Sequence, residues 1–226
     1  MGLNKSTGNM YEFITHTWNT IKGECSHGCT YCYMKRWGKQ KPPRFDEKEL
    51  AEFDMDMKKY GEGQFIFVGS SCDMFADEIP GKWIVDTLNY CAKYDNRYLF
   101  QSKNPEAFIG WGSVMPDKIA LCTTIETNRH YEYIMVDAPT PTNRALGFMQ
   151  IPDCVDKYIT IEPIMDFDLF ELLGMIASCE PTQVNIGADS MGKKLPEPKT
   201  WKIIELIAEL EKFTVVHQKS NLKRLL

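Results

Sequence analysis

Short apolar runs alternate with longer amphipathic ones through most of the chain. Phe65-Ile-Phe-Val-Gly69 is an unbroken apolar run closed by glycine, the pattern of a strand covered on both faces. Trp83, Ile84, Thr87, Leu88 and Cys91 then recur at helical spacing and predict a helix. Arg97-Tyr-Leu-Phe-Gln101 reads as the next strand and Lys118-Ile-Ala-Leu-Cys-Thr-Thr-Ile125 as the one after it. Tyr158-Ile-Thr-Ile161 and Gln183-Val-Asn-Ile-Gly187 follow, separated by a helix striped with Leu169, Leu172, Leu173, Ile176 and Ala177. A last helix is expected from about Thr200 to Lys212, with Ile203, Ile204, Ile207 and Leu210 on one side. Phe213-Thr-Val-Val216 adds an edge strand.

Upstream, Tyr11-Glu-Phe-Ile-Thr15 is expected to be the first strand. Asp46 followed by Glu49 resembles a capping box, opening a helix with Leu50, Phe53, Met57 and Tyr60 inside. Strands alternating with helices predict a parallel sheet with right-handed crossovers. Six such units are countable, short of the eight in a closed barrel. The expected fold class is therefore α/β, a parallel curved sheet forming a partial (β/α)6 TIM-like barrel. No shift in composition marks a boundary, so one domain is expected over residues 1–226, with a cysteine loop at 23–33 and a C-terminal extension at 213–226. Asp137-Ala-Pro-Thr-Pro-Thr142 is expected to be a loop within it.

The hydrophobic fraction of 43% and charged fraction of 25% are those of an ordinary globular protein. No apolar run reaches the roughly 18 residues of a membrane span. The first residues lack the apolar core of a signal peptide, and eight cysteines are sparse for a secreted disulfide scaffold. A cytoplasmic protein with reduced thiols is expected, with Cys91, Cys154 and Cys179 as small core residues. A net charge of −5 argues against non-specific affinity for a nucleic-acid backbone. One local exception is Lys35-Arg-Trp-Gly-Lys-Gln-Lys-Pro-Pro-Arg44, where five cations surround a tryptophan; a solvated loop and a contact for a phosphate-bearing substrate are the two readings.

Candidate chemistry concentrates in Gly23-Glu-Cys-Ser-His-Gly-Cys-Thr-Tyr-Cys-Tyr33. Cys25, Cys29 and Cys32, spaced C-x3-C-x2-C, can reach one inorganic centre from one loop. A cubane iron–sulfur cluster is normally closed by four cysteines, so three leave one iron able to take another ligand. Ligands in parallel β/α folds sit beyond the carboxyl ends of the strands, and those ends here are consistently polar. They read Ser70-Ser71-Cys72-Asp73, Thr123-Thr124-Ile125-Glu126-Thr127-Asn128-Arg129, Glu162-Pro163 and Gly187-Ala188-Asp189-Ser190.

The cysteine spacing, with Tyr31 just before its last member, resembles the cluster loop of the radical S-adenosylmethionine superfamily. The resemblance implies a 4Fe-4S cluster held by Cys25, Cys29 and Cys32, with S-adenosyl-L-methionine chelating the open iron. It implies cofactor contacts from Tyr31, from Ser70, Ser71 and Asp73 near the amino group, and from Thr124 and Glu126 at the ribose hydroxyls. Arg129 would lie near the cofactor carboxylate, with Gly187 and Ala188 under the adenine. Cys72 and Glu162 are the candidate catalytic residues, Cys72 as hydrogen-atom donor and Glu162 as a substrate-orienting group or a partner of Lys103. A surface ion pair between Glu126 and Arg129 is the structural alternative for those two.

Thr15-His-Thr-Trp-Asn19, Phe67-Val-Gly-Ser70, Gln101-Ser-Lys-Asn-Pro105, Ile161-Glu-Pro163 and Asn185-Ile-Gly-Ala188 also resemble, in order, a phage-associated branch related to spore photoproduct lyase. This resemblance implies reductive cleavage of the cofactor to a 5′-deoxyadenosyl radical that takes hydrogen from a nucleotide or a nucleic-acid base. It also implies a one-electron donor such as flavodoxin or ferredoxin. Three other readings remain open. One is an activase that installs a glycyl radical on a partner protein. Another is an electron carrier whose cluster Cys72 closes, and the third is a structural zinc site completed by His16, His130 or His217.

Overall fold

In an extended chain successive side chains point to opposite faces, so a fully apolar strand needs cover on both. The computed structural model describes residues 2–7 and 10–226. In chain order these form β1 (Asn4–Lys5), β2 (His16–Trp18), β3 (Ile21–Lys22), β4 (Arg44–Phe45), α1 (Lys48–Tyr60) and β5 (Phe65–Val68). Next come α2 (Gly81–Cys91), β6 (Arg97–Ser102), α3 (Ala107–Trp111), β7 (Ile119–Thr124), α4 (Glu132–Met135) and α5 (Pro141–Met149). The chain ends with β8 (Asp156–Ile161), α6 (Leu169–Ser178), β9 (Gln183–Ile186), α7 (Thr200–Leu210) and β10 (Val215–Gln218).

Eight strands make one sheet in the order β1-β2-β5-β6-β7-β8-β9-β10, and β3 pairs with β4 in a separate hairpin. Within the eight-stranded sheet every pairing from β2 to β10 is parallel and only β1 runs antiparallel, on β2; the β3–β4 pair is antiparallel too. All the parallel strands therefore deliver their following loops to the same edge. Ile66, Val68, Tyr98, Phe100, Leu121, Ile159, Ile161, Val184 and Ile186 share a core with apolar residues of α1, α2, α5, α6 and α7. The alternate residues Phe67, Leu99, Ala120, Cys122 and Tyr158 form a second cluster, covered by Tyr11 and Ile14.

That second cover explains why the first strand lies later than its sequence suggests. Residues 11–14 turn back on themselves, with Ile14 N donating to Tyr11 O at 3.0 Å, and their side chains plug the sheet. Parallel pairing with β5 begins only at His16. The expected edge strand forms as β10, a seventh parallel strand where six units were countable. The proline-rich loop ends sooner than expected, because Thr140 caps α5 by accepting from Asn143 N and Pro141 occupies its first turn. Near the start of α1, the carboxylates of Asp46 and Glu49 both reach Lys22. Cys91 and Cys179 are buried as expected, whereas Cys154 is exposed. No described helix is long and apolar enough to cross a membrane.

Candidate functional site

The cysteine loop follows β3 and is pinned from several sides. Gly23 has φ +125°, and a Cβ there would stand 2.6 Å from Pro42 O, so only glycine fits this crossing. Glu24 N donates to Lys41 O at 2.8 Å, Thr30 N to Ile134 O at 3.0 Å, and Asp137 N to His27 O at 3.2 Å. His27 Nε2 lies 2.8 Å from Asp73 Oδ2. The same carboxylate accepts from Ser102 Oγ at 2.9 Å and Lys103 N at 2.8 Å, and Asp73 Oδ1 accepts from Phe75 N at 3.0 Å. Burial opposes ionisation of Asp73, but the His27 bond and these backbone donors outweigh it and hold its pKa down. One carboxylate thus ties the cysteine loop to the ends of β5 and β6.

Cys29 is buried, and Cys25 and Cys32 are partly so. Burial, then the Asp73 carboxylate, pushes the Cys25 thiol up to about 12. Cys72 is buried beside the loop, where its Sγ lies 3.8 Å from Glu24 O. Burial raises its pKa first, then the charges of Cys25, Asp73, Glu78 and Cys32. Among the described residues no three His, Cys, Asp or Glu side chains are gathered closely enough to hold a single metal ion. Nor do the histidines complete a Cys3His set. His27 is bonded to Asp73, His16 packs on Tyr60 with ring centres 5.0 Å apart, His217 packs against Phe13, and His130 belongs to no such group.

Beyond β7, Glu126 has no exposed surface. Tyr31 OH and Lys103 Nζ both donate to its Oε1, and Arg144 Nη1 donates to Oε2 at 2.6 Å. Burial alone would raise the pKa of Glu126, but Arg144 and Lys103 more than offset it and hold it at about 2. Lys103 Nζ also donates to Tyr31 OH at 2.8 Å and lies 5.0 Å from the centre of its ring. Both carboxylate oxygens of Glu126 therefore accept from side chains. Thr124 Oγ1 accepts from Gln101 Nε2 at 2.9 Å.

Two pairings differ from expectation. Arg129 does not pair with Glu126; its guanidinium takes Asp168 through Nε at 2.8 Å and Nη2 at 2.6 Å, and Asp166 through Nη1 at 2.5 Å. Those aspartates lie in the loop between β8 and α6, and Asp168 borders a groove of about 440 Å³ lined by Phe167, Phe170, Trp201 and Lys202. Glu162 does not pair with Lys103; Lys219 Nζ reaches it at 2.5 Å and Asn221 Nδ2 at 2.8 Å. Gly187 packs against this carboxylate, and a Cβ there would stand 2.7 Å from Glu162 Cδ and push the side chain aside. Ala188 is clasped by Asn221, whose Nδ2 donates to Ala188 O at 2.8 Å. The C-terminal extension therefore builds part of the site.

Ser70 exchanges bonds with Asn19, whose Oδ1 also accepts from Ser71 N at 2.8 Å. Ser71 Oγ is buried without a hydrogen-bond partner. A buried hydroxyl left unpaired is uncommon, and it lies where the resemblance implies the cofactor's amino group. The donor set also suits the implied cluster, because three thiols come from one pinned loop. Arg144, Lys219, Asn19 and Asn221 do not stand out in the sequence, since each acts on a partner far away in the chain. Arg144 alone has a local signal, the Thr140-Pro141 helix start.

No curated protein matches the chain. Among solved structures it resembles a spore photoproduct lyase mutant, with a TM-score of 0.70 and 12% identity over 95% of this chain and 79% of the other. A mutant with bound AdoMet and dinucleoside spore photoproduct gives a TM-score of 0.70 and 10% identity over 94% and 78%. Spore photoproduct lyase complexed with dinucleoside spore photoproduct gives the same values, 0.70, 10%, 94% and 78%. At this identity the likeness establishes a shared fold. The cysteine loop, Asp73, Glu126 and Glu162 all fall within residues 9–177, which match the family model described as Protein of unknown function (DUF5131), and the chain belongs to that family.

Proposed function

We propose that this protein is a radical S-adenosylmethionine enzyme acting at the carboxyl ends of a curved, partly open β/α barrel. The observation that carries the reading is a pinned loop presenting Cys25, Cys29 and Cys32 beside the strand ends of a fold shared with spore photoproduct lyase. Those three thiolates would hold a 4Fe-4S cluster. Ser71 Oγ, Ser70, Asp73, Tyr31, Thr124, Glu126, Gly187 and Ala188 are the candidates for contacts to S-adenosylmethionine. When bound, this pair supplies a 5′-deoxyadenosyl radical able to take hydrogen from an unreactive carbon.

The chain's own part is placement. Asp73, through His27, fixes the loop against β5 and β6, and Glu126 fixes Tyr31 at its last cysteine. Glu162, held by Lys219 and Asn221, borders the site as a substrate-orienting group. Arg129, occupied by two aspartates, is withdrawn from the cofactor carboxylate. The substrate is proposed to be a nucleotide or a nucleic-acid base, the electron donor a flavodoxin or ferredoxin, and the compartment the cytoplasm. The bound dinucleoside in the fold's solved relatives favours that substrate over a partner protein.

One specific observation supports a second reading. Cys72 sits close enough to Cys25 and Cys32 for their charges to act on it, so a closed, electron-carrying cluster is the rival. Alanine variants separate the two. Cys25→Ala, Cys29→Ala and Cys32→Ala should each lose the iron spectrum after anaerobic reconstitution, while Cys72→Ala should keep it and still cleave the cofactor. Loss of the cluster in Cys72→Ala as in the other three would establish the carrier instead.

A further inference from the structure

Two basic loops far apart in the sequence meet over the mouth of the sheet. The short 3-10 helix Tyr33–Trp37 directly follows the last loop cysteine. Tyr33 OH donates to Ser70 O, beyond β5, at 2.5 Å. Arg36 Nη2 lies 3.7 Å from Met191 Sδ, beyond β9. The segment thus links the loop after β5 to the loop after β9, strands that β6, β7 and β8 separate in the sheet. It leads into Lys39, Lys41 and Arg44, and the loop it meets carries Lys193 and Lys194.

With Lys35 and Arg36 this makes seven cations, all exposed, and no ion pair among the described residues involves any of them. Neither stretch, 33–45 nor 190–196, contains an aspartate or glutamate. The nearest acid after the second, Glu197, is taken by Arg224. In a chain of net charge −5, such a rim concentrates positive charge at one place. Trp37 stands in it with 62% of its surface exposed, and the Arg36 guanidinium lies 5.1 Å from its ring centre and 5.8 Å from that of Tyr33. That stacking holds the indole in place while leaving it open to solvent.

Cations that follow phosphates, beside an aromatic ring on which a base can stack, are the pairing that binds single-stranded nucleic acid. A duplex offers no free base face, and its long polyanionic flanks would meet the acidic remainder of the chain. An acidic protein would use the cations and leave the exposed indole without a role. We propose that the rim of Lys35, Arg36, Lys39, Lys41, Lys193 and Lys194, with Trp37 as its stacking platform, binds single-stranded nucleic acid. As an account of the substrate this rests on the function proposed above; as an account of binding it is tested without the cofactors.

The test is fluorescence anisotropy of the full chain with a labelled oligodeoxythymidine of about twelve nucleotides, and with a duplex of equal length, across a salt series. The single strand should bind more tightly than the duplex. Trp37→Ala should weaken binding at least fivefold. The double variant Lys193→Ala/Lys194→Ala should weaken it about tenfold and reduce the slope of log affinity against log salt by roughly 1.4, about 0.7 for each phosphate no longer neutralised. All three positions are exposed, so circular dichroism should stay unchanged. Absence of binding, equal binding of the duplex, or a double variant with unaltered slope would overturn the proposal. So would variants that bind the strand normally but slow reduction by an acidic flavodoxin. A chain that binds the strand yet forms no 5′-deoxyadenosine loses the radical reading and keeps the rim; the converse result removes only the rim.

Discussion

Burying a carboxylate costs several kcal/mol unless cations and donors replace its water. Glu126 meets that condition with Arg144, Lys103 and Tyr31, whose bonds close over sequence separations of 18, 23 and 95 residues. Glu126→Gln leaves Arg144 buried with an uncompensated charge, so urea unfolding should show a loss of about 3–5 kcal/mol. Adding Arg144→Met should restore part of it, because the fully buried guanidinium is then gone, while the partly exposed Lys103 keeps its bond to Tyr31 OH. The pH dependence has a definite sign. The Glu126 pKa is held at about 2, below the ordinary 4.5, so its stabilisation is complete above pH 4.5 and fades as the pH falls toward 2. Glu126→Gln should flatten that window. Glu126 was legible from its place after a strand, but its job was not, since no local pattern announces a partner 95 residues away.

Secondary structure followed the hydrophobic pattern wherever the pattern was long. The helices over Gly81–Cys91, Leu169–Ser178 and Thr200–Leu210 formed where their apolar stripes place them. The first strand was displaced because Tyr11 and Ile14 are as apolar as strand residues yet serve as a plug, and burial alone does not distinguish the two. Helix α5 was hidden by prolines that read as a loop, although Thr140-Pro141 is a cap followed by a first-turn proline. Thr140→Ala should cost about 1 kcal/mol in thermal or urea unfolding. Gly147, further along α5, packs so closely that a Cβ would stand 2.9 Å from the backbone nitrogen of Glu106. Gly147→Ala should therefore destabilise by about 1–3 kcal/mol, the range of overpacked cores, rather than stabilise as alanine does in an open helix. An unchanged midpoint in either variant would show that the interaction is softer than its geometry.

At the scale of the molecule, parallel strands put every functional loop at one edge, so polar strand ends could be read together before any contact was known. What the sequence could not show was which ends join which: Asp73 to His27 and Ser102, Glu162 to the C-terminal Lys219 and Asn221, Arg36 to Met191. Those contacts tie a row of polar ends together beside three cysteines. Whether that arrangement is a radical catalyst is decided by anaerobic reconstitution with iron and sulfide, followed by an assay for 5′-deoxyadenosine under strong reductant. About four irons per chain with release of the nucleoside is the expected result. A single bound zinc, or a full cluster that yields no 5′-deoxyadenosine, would contradict it.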